Sequence, residues 1–247
     1  MVVNAGVQAE LIFSTLGAAS EGESKPTGYL KKAVRYAGAG PTASLLDDED
    51  RGVMMEWERP IMEVHAEILC QTKGSVLNVG FGMGIVDTAI ASHGPSSHTI
   101  IEAHPDVYKK MIADGWDKKP NVRIFHGRWQ DVVKSEAFRA VGKFDSVFFD
   151  TFDDVACMKE FHQALPDLVK PGGIYSWFNG VCPDNLIFQG VACEVLKQHL
   201  ASLGFSTEYH TCEIDSGNSQ VWKDTKFRYY ARSDYFLPIA TRDAANE

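Results

Sequence analysis

From Glu56 onward the apolar positions fall into two alternating periods. Ile61, Val64, His65 and Ile68 recur at about the 3.6-residue period of one helix face, predicting a helix through Leu69 with Pro60 in its first turn, where a missing N–H costs nothing. Beyond it, short apolar runs predict strands at "SVLNVG", "HTIIEA", "NVRIFHG", "FDSVFFD" and, after a turn "KPGG", at "GGIYSWF". Helical spacing falls between them at "GIVDTAIASHG", "HPDVYKKMIADGW", "WQDVVKSEAFRAV" and "DVACMKEFHQALPDLV", and after them at "GVACEVLKQHLASLG". This order implies a Rossmann-like, mostly parallel α/β sheet with helices on both faces and right-handed crossovers. The last two strands, "FSTEYHTCEI" and "DTKFRYYARSDYF", are separated only by the polar turn "DSGNSQ". They should pair as a C-terminal antiparallel hairpin, bringing the sheet to seven strands.

Residues 1–50 read differently from the domain formed by 51–247. "AELIFSTLGAA" has helical spacing, "SEGESKPTG" is polar, and "YLKKAVRYAGAGPTASLLDDEDRG" suggests one or two helices and loops lying over the main domain. Its acidic "DDED" is expected as a solvated loop.

A chain of 247 residues is one domain of ordinary size. Its net charge of -9 sets the surface against nucleic acid and anionic membrane, and favours a cationic substrate or partner. The five cysteines are odd in number, scattered and without a CxxC pair, the usage of reduced thiols rather than of a disulfide framework or zinc site. No apolar run approaches the ~20 residues of a membrane span, and no basic-then-apolar leader opens the chain. Cytosol or nucleus is the expected location.

Ligands of open α/β sheets bind outside the carboxyl ends of the strands, so the residues at those ends are the candidates. After the first strand, "GFGMG" offers close backbone approach and N–H groups at a helix start. A dinucleotide fingerprint needs a sixth-position glycine or alanine; counted from Gly80, that position holds the bulky Ile85. Glu102, 22 residues beyond Gly80, ends the second strand where an acid can bind ribose hydroxyls. Trp129 suits either the face of an adenine or the core, with Gln130 or Asp131 at the adenine's amino edge. Asp150 follows a fully apolar run and should sit at the strand tip facing the cleft, whereas Asp153 suits the N-cap of the next helix. Asn179 and Gly180 follow the fifth strand. Upstream, Glu58 either stabilises its own helix start or supplies a second carboxylate opposite Asp150. The terminal hairpin and Ile85 favour the methyltransferase variant of the doubly wound sheet over the all-parallel dinucleotide version.

Together "VMMEWERPIM", "VLNVGFGMGI", "IIEAHPDV", "GRWQDV", "FDSVFFDT" and "LVKPGGIYSWFNG" resemble the guanidinoacetate methyltransferase superfamily, best its fungal and plant branch, the protein arginine δ-N-methyltransferases of type IV. The resemblance runs from about Ala9 to the last strand. It implies a class I S-adenosylmethionine-dependent fold with S-adenosyl-L-methionine as methyl donor. It implies that Phe81, Gly82, Met83, Gly84, Ile85 and Val86 hold the methionine end of the cofactor. Glu102 would take the ribose with Ala103 and His104 alongside, and Trp129 and Gln130 the adenine. Glu58 and Asp150 would clamp a guanidinium, with Met54, Met62, Asn179, Gly180 and Val181 shaping the pocket. Tyr29 or Tyr36 would close the site. The acceptor implied is an arginine in a protein or a small guanidino compound, and monomer and homodimer both stay open. Two features depart from the family pattern: this sequence has no ankyrin-like repeats, and Gln130 stands where the guanidinoacetate enzymes have Glu. A cofactor-binding interaction module and an NAD-dependent oxidoreductase remain as other readings.

Overall fold

The computed structural model describes residues 28–152, 155–216 and 220–244, so the helix expected at "AELIFSTLGAA" and the N-cap expected at Asp153 lie outside the described residues. Where helices and loops were expected next, the chain forms a 3-10 turn at Gly28–Lys31 and three short antiparallel strands, β1 (Val34–Ala37), β2 (Ser44–Asp47) and β3 (Gly52–Met55). The reason lies in "AGAGPT": Gly38 and Gly40 take positive φ of 66° and 54°, which leaves segments too short to sustain a helix. Nor is "DDED" wholly solvated. Asp47 is fully buried and accepts the N–H groups of Glu49 and Arg51, each at 2.9 Å, and Arg51 Nε at 2.7 Å. Asp48, Glu49 and Asp50 are exposed.

A 3-10 turn at Glu56–Glu58 leads into α1 (Arg59–Leu69), and the expected alternation follows: β4 (Ser75–Val79), α2 (Ile85–His93), β5 (Ser97–Glu102), α3 (Pro105–Ala113) and β6 (Val122–His126). The single helix expected next is two, α4 (Trp129–Val132) and α5 (Glu136–Arg139), because Ser135 leaves the helix and caps α5 through Oγ to the Phe138 N–H at 3.3 Å. Then come β7 (Phe144–Phe149), α6 (Val155–Leu168), β8 (Val169–Trp177), α7 (Leu186–Ala201), β9 (Phe205–Glu213) and β10 (Asp234–Arg242). The "KPGG" expected as a turn lies inside β8, where the register against β7 shifts.

The main sheet has the order β6-β5-β4-β7-β8-β10-β9, parallel from β6 to β8 and antiparallel at β10 and β9. This is the mostly parallel seven-stranded sheet with a C-terminal antiparallel hairpin. The strand order reverses at β4, between β5 and β7, so the crevice at the carboxyl ends of β4, β5 and β7 is where a ligand binds. The final strand is displaced from its expected position: β10 starts at Asp234, and the aromatic run before it is not a strand. Trp222, Tyr229 and Tyr230 instead pack on Trp57, with ring centroids 5.8, 5.8 and 5.3 Å from it. Burying those rings against the chain entering α1 outweighs extending the hairpin.

Candidate active site

The turn after β4 lies against other backbone. Gly80 has φ 97°, and a Cβ there would lie 1.9 Å from the Asp150 carbonyl oxygen. Gly82 has φ 55°, and its Cβ would meet Met54 Sδ at 2.7 Å. Only glycine satisfies both conditions, left-handed backbone and no room for a side chain. The turn is braced from below by Asn78, whose Nδ2 donates to Gly80 O at 2.8 Å and to both oxygens of buried Asp87 at 2.9 Å. From above, the Tyr36 hydroxyl donates to Gly82 O at 3.1 Å.

Glu102 ends β5 buried beside this turn. Its carboxylate accepts the Phe81 N–H at 2.8 Å and the His104 N–H at 2.6 Å, tying together the loops after β4 and β5. Burial raises its pKa, against these backbone donors, which lower it. Between the strand ends lies an open cleft whose empty space, its mouth included, is about 820 Å³. Its walls include Phe81, Gly82, Glu102, Ala103, Trp129, Gln130, Asp150 and Met54 from among the sequence-derived candidates. Tyr29 also lines it, its ring 4.8 Å from those of His104 and Phe152. Trp129 serves both readings made of it: its ring packs edge-on against Phe161 at 5.1 Å, and the residue borders the cleft.

Asp150 follows β7, anchored by its N–H to Val79 O at 2.9 Å. Its carboxyl is raised above the ordinary range by burial and by the charge of Asp87. Glu58 is 3% exposed, and its carboxyl is also raised, by burial first and then by the charge of Asp150. Two donors act in the opposite sense, the Met55 N–H at 2.9 Å and the Tyr229 hydroxyl, both on Oε1. Glu58 therefore also fulfils the structural alternative weighed for it, holding the backbone at its own helix start. Both carboxyls are buried and the charge of Asp150 acts on Glu58; Asp150 lines the cleft, whereas Glu58 is not among its lining residues.

Several candidates are placed elsewhere. Ile85 and Val86 are buried in the core at the first turn of α2, and Gly84 is the α2 N-cap. The Met83 N–H meets Met54 Sδ at 3.2 Å. His104 has both ring nitrogens engaged, Nδ1 accepting the Asp106 N–H at 3.2 Å as the cap of α3 and Nε2 bonding Lys32 O at 2.9 Å. Met62 is fully buried in the core and does not line the cleft. Asn179 is consumed by the fold: it donates to Phe236 O at 2.8 Å, accepts from Gln189 at 2.9 Å, and offers its own N–H to the Tyr235 hydroxyl at 2.8 Å. Gly180 and Val181 lie in the same loop, Val181 packing on the core. Sequence reasoning missed Tyr229, Asn78 and Asp87. An Asn inside an apolar strand and an Asp on the apolar face of the next helix were the available signals for the last two.

Known proteins resemble this chain in sequence and in fold. Residues 20–242 match the family model described as guanidinoacetate N-methyltransferase. Protein arginine N-methyltransferase 2 of Yarrowia lipolytica is 36% identical over 224 residues, covering 86% of this chain and 46% of that protein. The Saccharomyces cerevisiae protein of the same name is 35% identical over 219 residues, covering 86% and 52% respectively. The chain thus spans about half the length of the curated relatives it matches. Among solved structures, the O-methyltransferase TomG of Streptomyces achromogenes, in complex with SAM, superposes with a TM-score of 0.52 at 16% identity over 75% of this chain and 80% of that one. That likeness concerns the fold, a class I methyltransferase sheet.

Proposed function

The chain belongs to the guanidinoacetate N-methyltransferase family, and from that premise we propose that it transfers a methyl group from S-adenosylmethionine to a guanidinium nitrogen. The acceptor proposed is an arginine residue of a protein, at its δ-nitrogen, in keeping with relatives named protein arginine N-methyltransferase. A small guanidino compound is the second reading, favoured by the family model's own description. The observation that carries the proposal is the buried pair Glu58 and Asp150 beside the cleft.

Two features fit the residues to the cofactor. Gly80 and Gly82 put bare backbone into the cleft lining on either side of Phe81. Trp129 lines the cleft, and its buried Nε1 has no hydrogen-bond partner among the described residues. In this reading the turn at Phe81 and Gly82 holds the methionine end, Glu102 the ribose, and Trp129 with Gln130 the adenine. When bound, S-adenosylmethionine supplies a methyl group activated by its sulfonium.

The protein's own residues supply the rest. A guanidinium is always protonated in proteins, so its nitrogens are poor nucleophiles. Glu58 and Asp150, ionised, orient its planar group through paired charge-assisted hydrogen bonds. Aligning one nitrogen accounts for much of the acceleration. As the nitrogen gains the methyl it loses a proton, and Asp150 accepts that proton on the cleft wall. Both carboxyls must be ionised for this, and both are raised by burial, so the rate climbs with pH until the pair has lost its protons; the guanidinium, arriving between them, favours the charged forms.

The test is incubation with labelled S-adenosylmethionine and an arginine-rich protein, free arginine or guanidinoacetate, with the methyl located by mass spectrometry. Asp150→Asn should bind cofactor as the parent does and lose methyl transfer. An active Asp150→Asn enzyme refutes the assignment, and cofactor binding without transfer to any guanidino acceptor supports an interaction module instead.

A further inference from the structure

We propose that Tyr229 is a positioning residue for Glu58, holding one carboxylate oxygen so that the other is presented to the acceptor guanidinium; this rests on the reading above. Glu58 lies 171 positions upstream, yet the Tyr229 hydroxyl donates to its Oε1. The Met55 N–H occupies the same oxygen, at 2.9 Å. Oε2 has no hydrogen-bond partner among the described residues, so the carboxylate keeps one face for a ligand. Asp150, by contrast, has no side-chain hydrogen bond among the described residues. The asymmetry matches a division of labour in which Glu58 is the fixed clamp and Asp150 the acceptor of the proton.

The phenol is itself held. Trp57 and Trp222 lie 5.8 and 5.0 Å from its ring. On the other side is Gly52 of β3, where a Cβ would stand 2.7 Å from Tyr229 Cε1. The segment carrying Tyr229 is pinned to the β2–β3 turn by the Lys226 N–H to Asp50 O bond of 2.8 Å. Burial and the charge of Glu58 raise the Tyr229 pKa well above that of a free phenol, so the hydroxyl remains a donor throughout the working pH range. A hydrogen bond donated to a carboxylate favours its charged form. Tyr229 therefore does two things for Glu58: it fixes the rotamer, and it opposes the protonation that burial next to Asp150 promotes.

Two variants test this in the full chain. Tyr229→Phe keeps the ring and removes the donor; Gly52→Ala keeps the donor and displaces the ring. In both, the Glu58 carboxyl, followed by NMR in protein labelled at the glutamate side-chain carbon, should titrate at higher pH. The expected rise is about one unit for Tyr229→Phe, with cofactor affinity within about twofold of the parent. The acid limb of kcat/KM should move in the same direction and kcat should fall about tenfold. The double variant Glu58→Gln/Tyr229→Phe should be no slower than Glu58→Gln alone. An unmoved Glu58 titration in folded Tyr229→Phe, additive losses in the double variant, or a parent-like Gly52→Ala overturns the proposal. The titration needs no acceptor: a parent chain that methylates nothing removes the functional reading, while the NMR result still decides the role of Tyr229.

Discussion

Gly80→Ala probes fold and site in one substitution. Residue 80 joins β4 to the turn, its N–H bonded to Ile101 O at 2.9 Å, with φ at 97°. An L-residue held in left-handed backbone costs roughly 1–2 kcal/mol. The new Cβ would also fall 1.9 Å from the Asp150 carbonyl oxygen and 2.9 Å from its carbon. Both obstacles are backbone, so no side chain can rotate away. Relief requires the ends of β4 and β7 to part by about 1 Å, at the point where Val79 pairs with Phe149 and the Asp150 N–H reaches Val79 O. Losing that bond adds about 0.5–1.5 kcal/mol, and residual backbone strain about 1–3 kcal/mol. The total, roughly 2.5–6.5 kcal/mol, leaves a folded protein if the parent lies at or above the middle of the typical range of about 5–15 kcal/mol. Urea denaturation followed by circular dichroism should register that loss, with Tm lower by about 5–25 °C. Because Asp150 itself is displaced, the rate of methyl transfer at saturating cofactor should fall about a hundredfold. A Gly80→Ala protein within about 1 kcal/mol of the parent and with comparable turnover would refute the close approach of residue 80 to Asp150 and its link to the chemistry.

Gly82→Ala should be milder for the fold, since its Cβ meets the far end of the Met54 side chain at 2.7 Å rather than backbone. About 1–2 kcal/mol of stability should go in denaturant titration, while calorimetry records weakened cofactor binding from a displaced Met54; a larger stability loss than at Gly80 would reverse the ranking. Asp150→Asn should stabilise the ligand-free protein at pH 8. The raised Asp150 pKa means the folded state holds its proton to higher pH than the unfolded chain. The stability this contributes is complete below about pH 4 and is lost as pH rises through the folded value. Urea titrations should therefore place the variant at least about 1 kcal/mol above the parent at pH 8, with the gain vanishing near pH 4; equal stabilities at pH 8 would argue against the burial. Glu102→Gln keeps the shape but turns an amide donor toward backbone N–H groups the carboxylate accepts, among them those of Phe81 and His104. It should weaken cofactor binding at least about tenfold and cost about 1–3 kcal/mol, and an unchanged calorimetric Kd would contradict the role assigned to Glu102.

How far the sequence reached depended on the range of the interaction. The helix through Leu69, the strands at 75–79, 97–102 and 144–149, and the glycine turn were legible because periodicity and steric demand act within a few residues. Placing Glu102 and Asp150 at the cleft needed only one further rule, that ligands gather at the strand ends of such sheets. The three strands over 34–55 were not legible, since four-residue segments are too short to display a period and their order comes from pairing with one another. Met62 and Asn179 carry the right chemistry for a pocket, but the packing of α1 and the hydrogen bonds accepted from Gln189 and donated to Tyr235 commit them to the core. The aromatic run over 227–230 reads like part of a strand, and only burial against Trp57 and Gly52 turns it into the support for Glu58. Local sequence determined which carboxylates stand near the cleft. Tertiary structure alone decided which donors restrain them, because a hydrogen bond between residues 58 and 229 leaves no trace in the spacing of either segment.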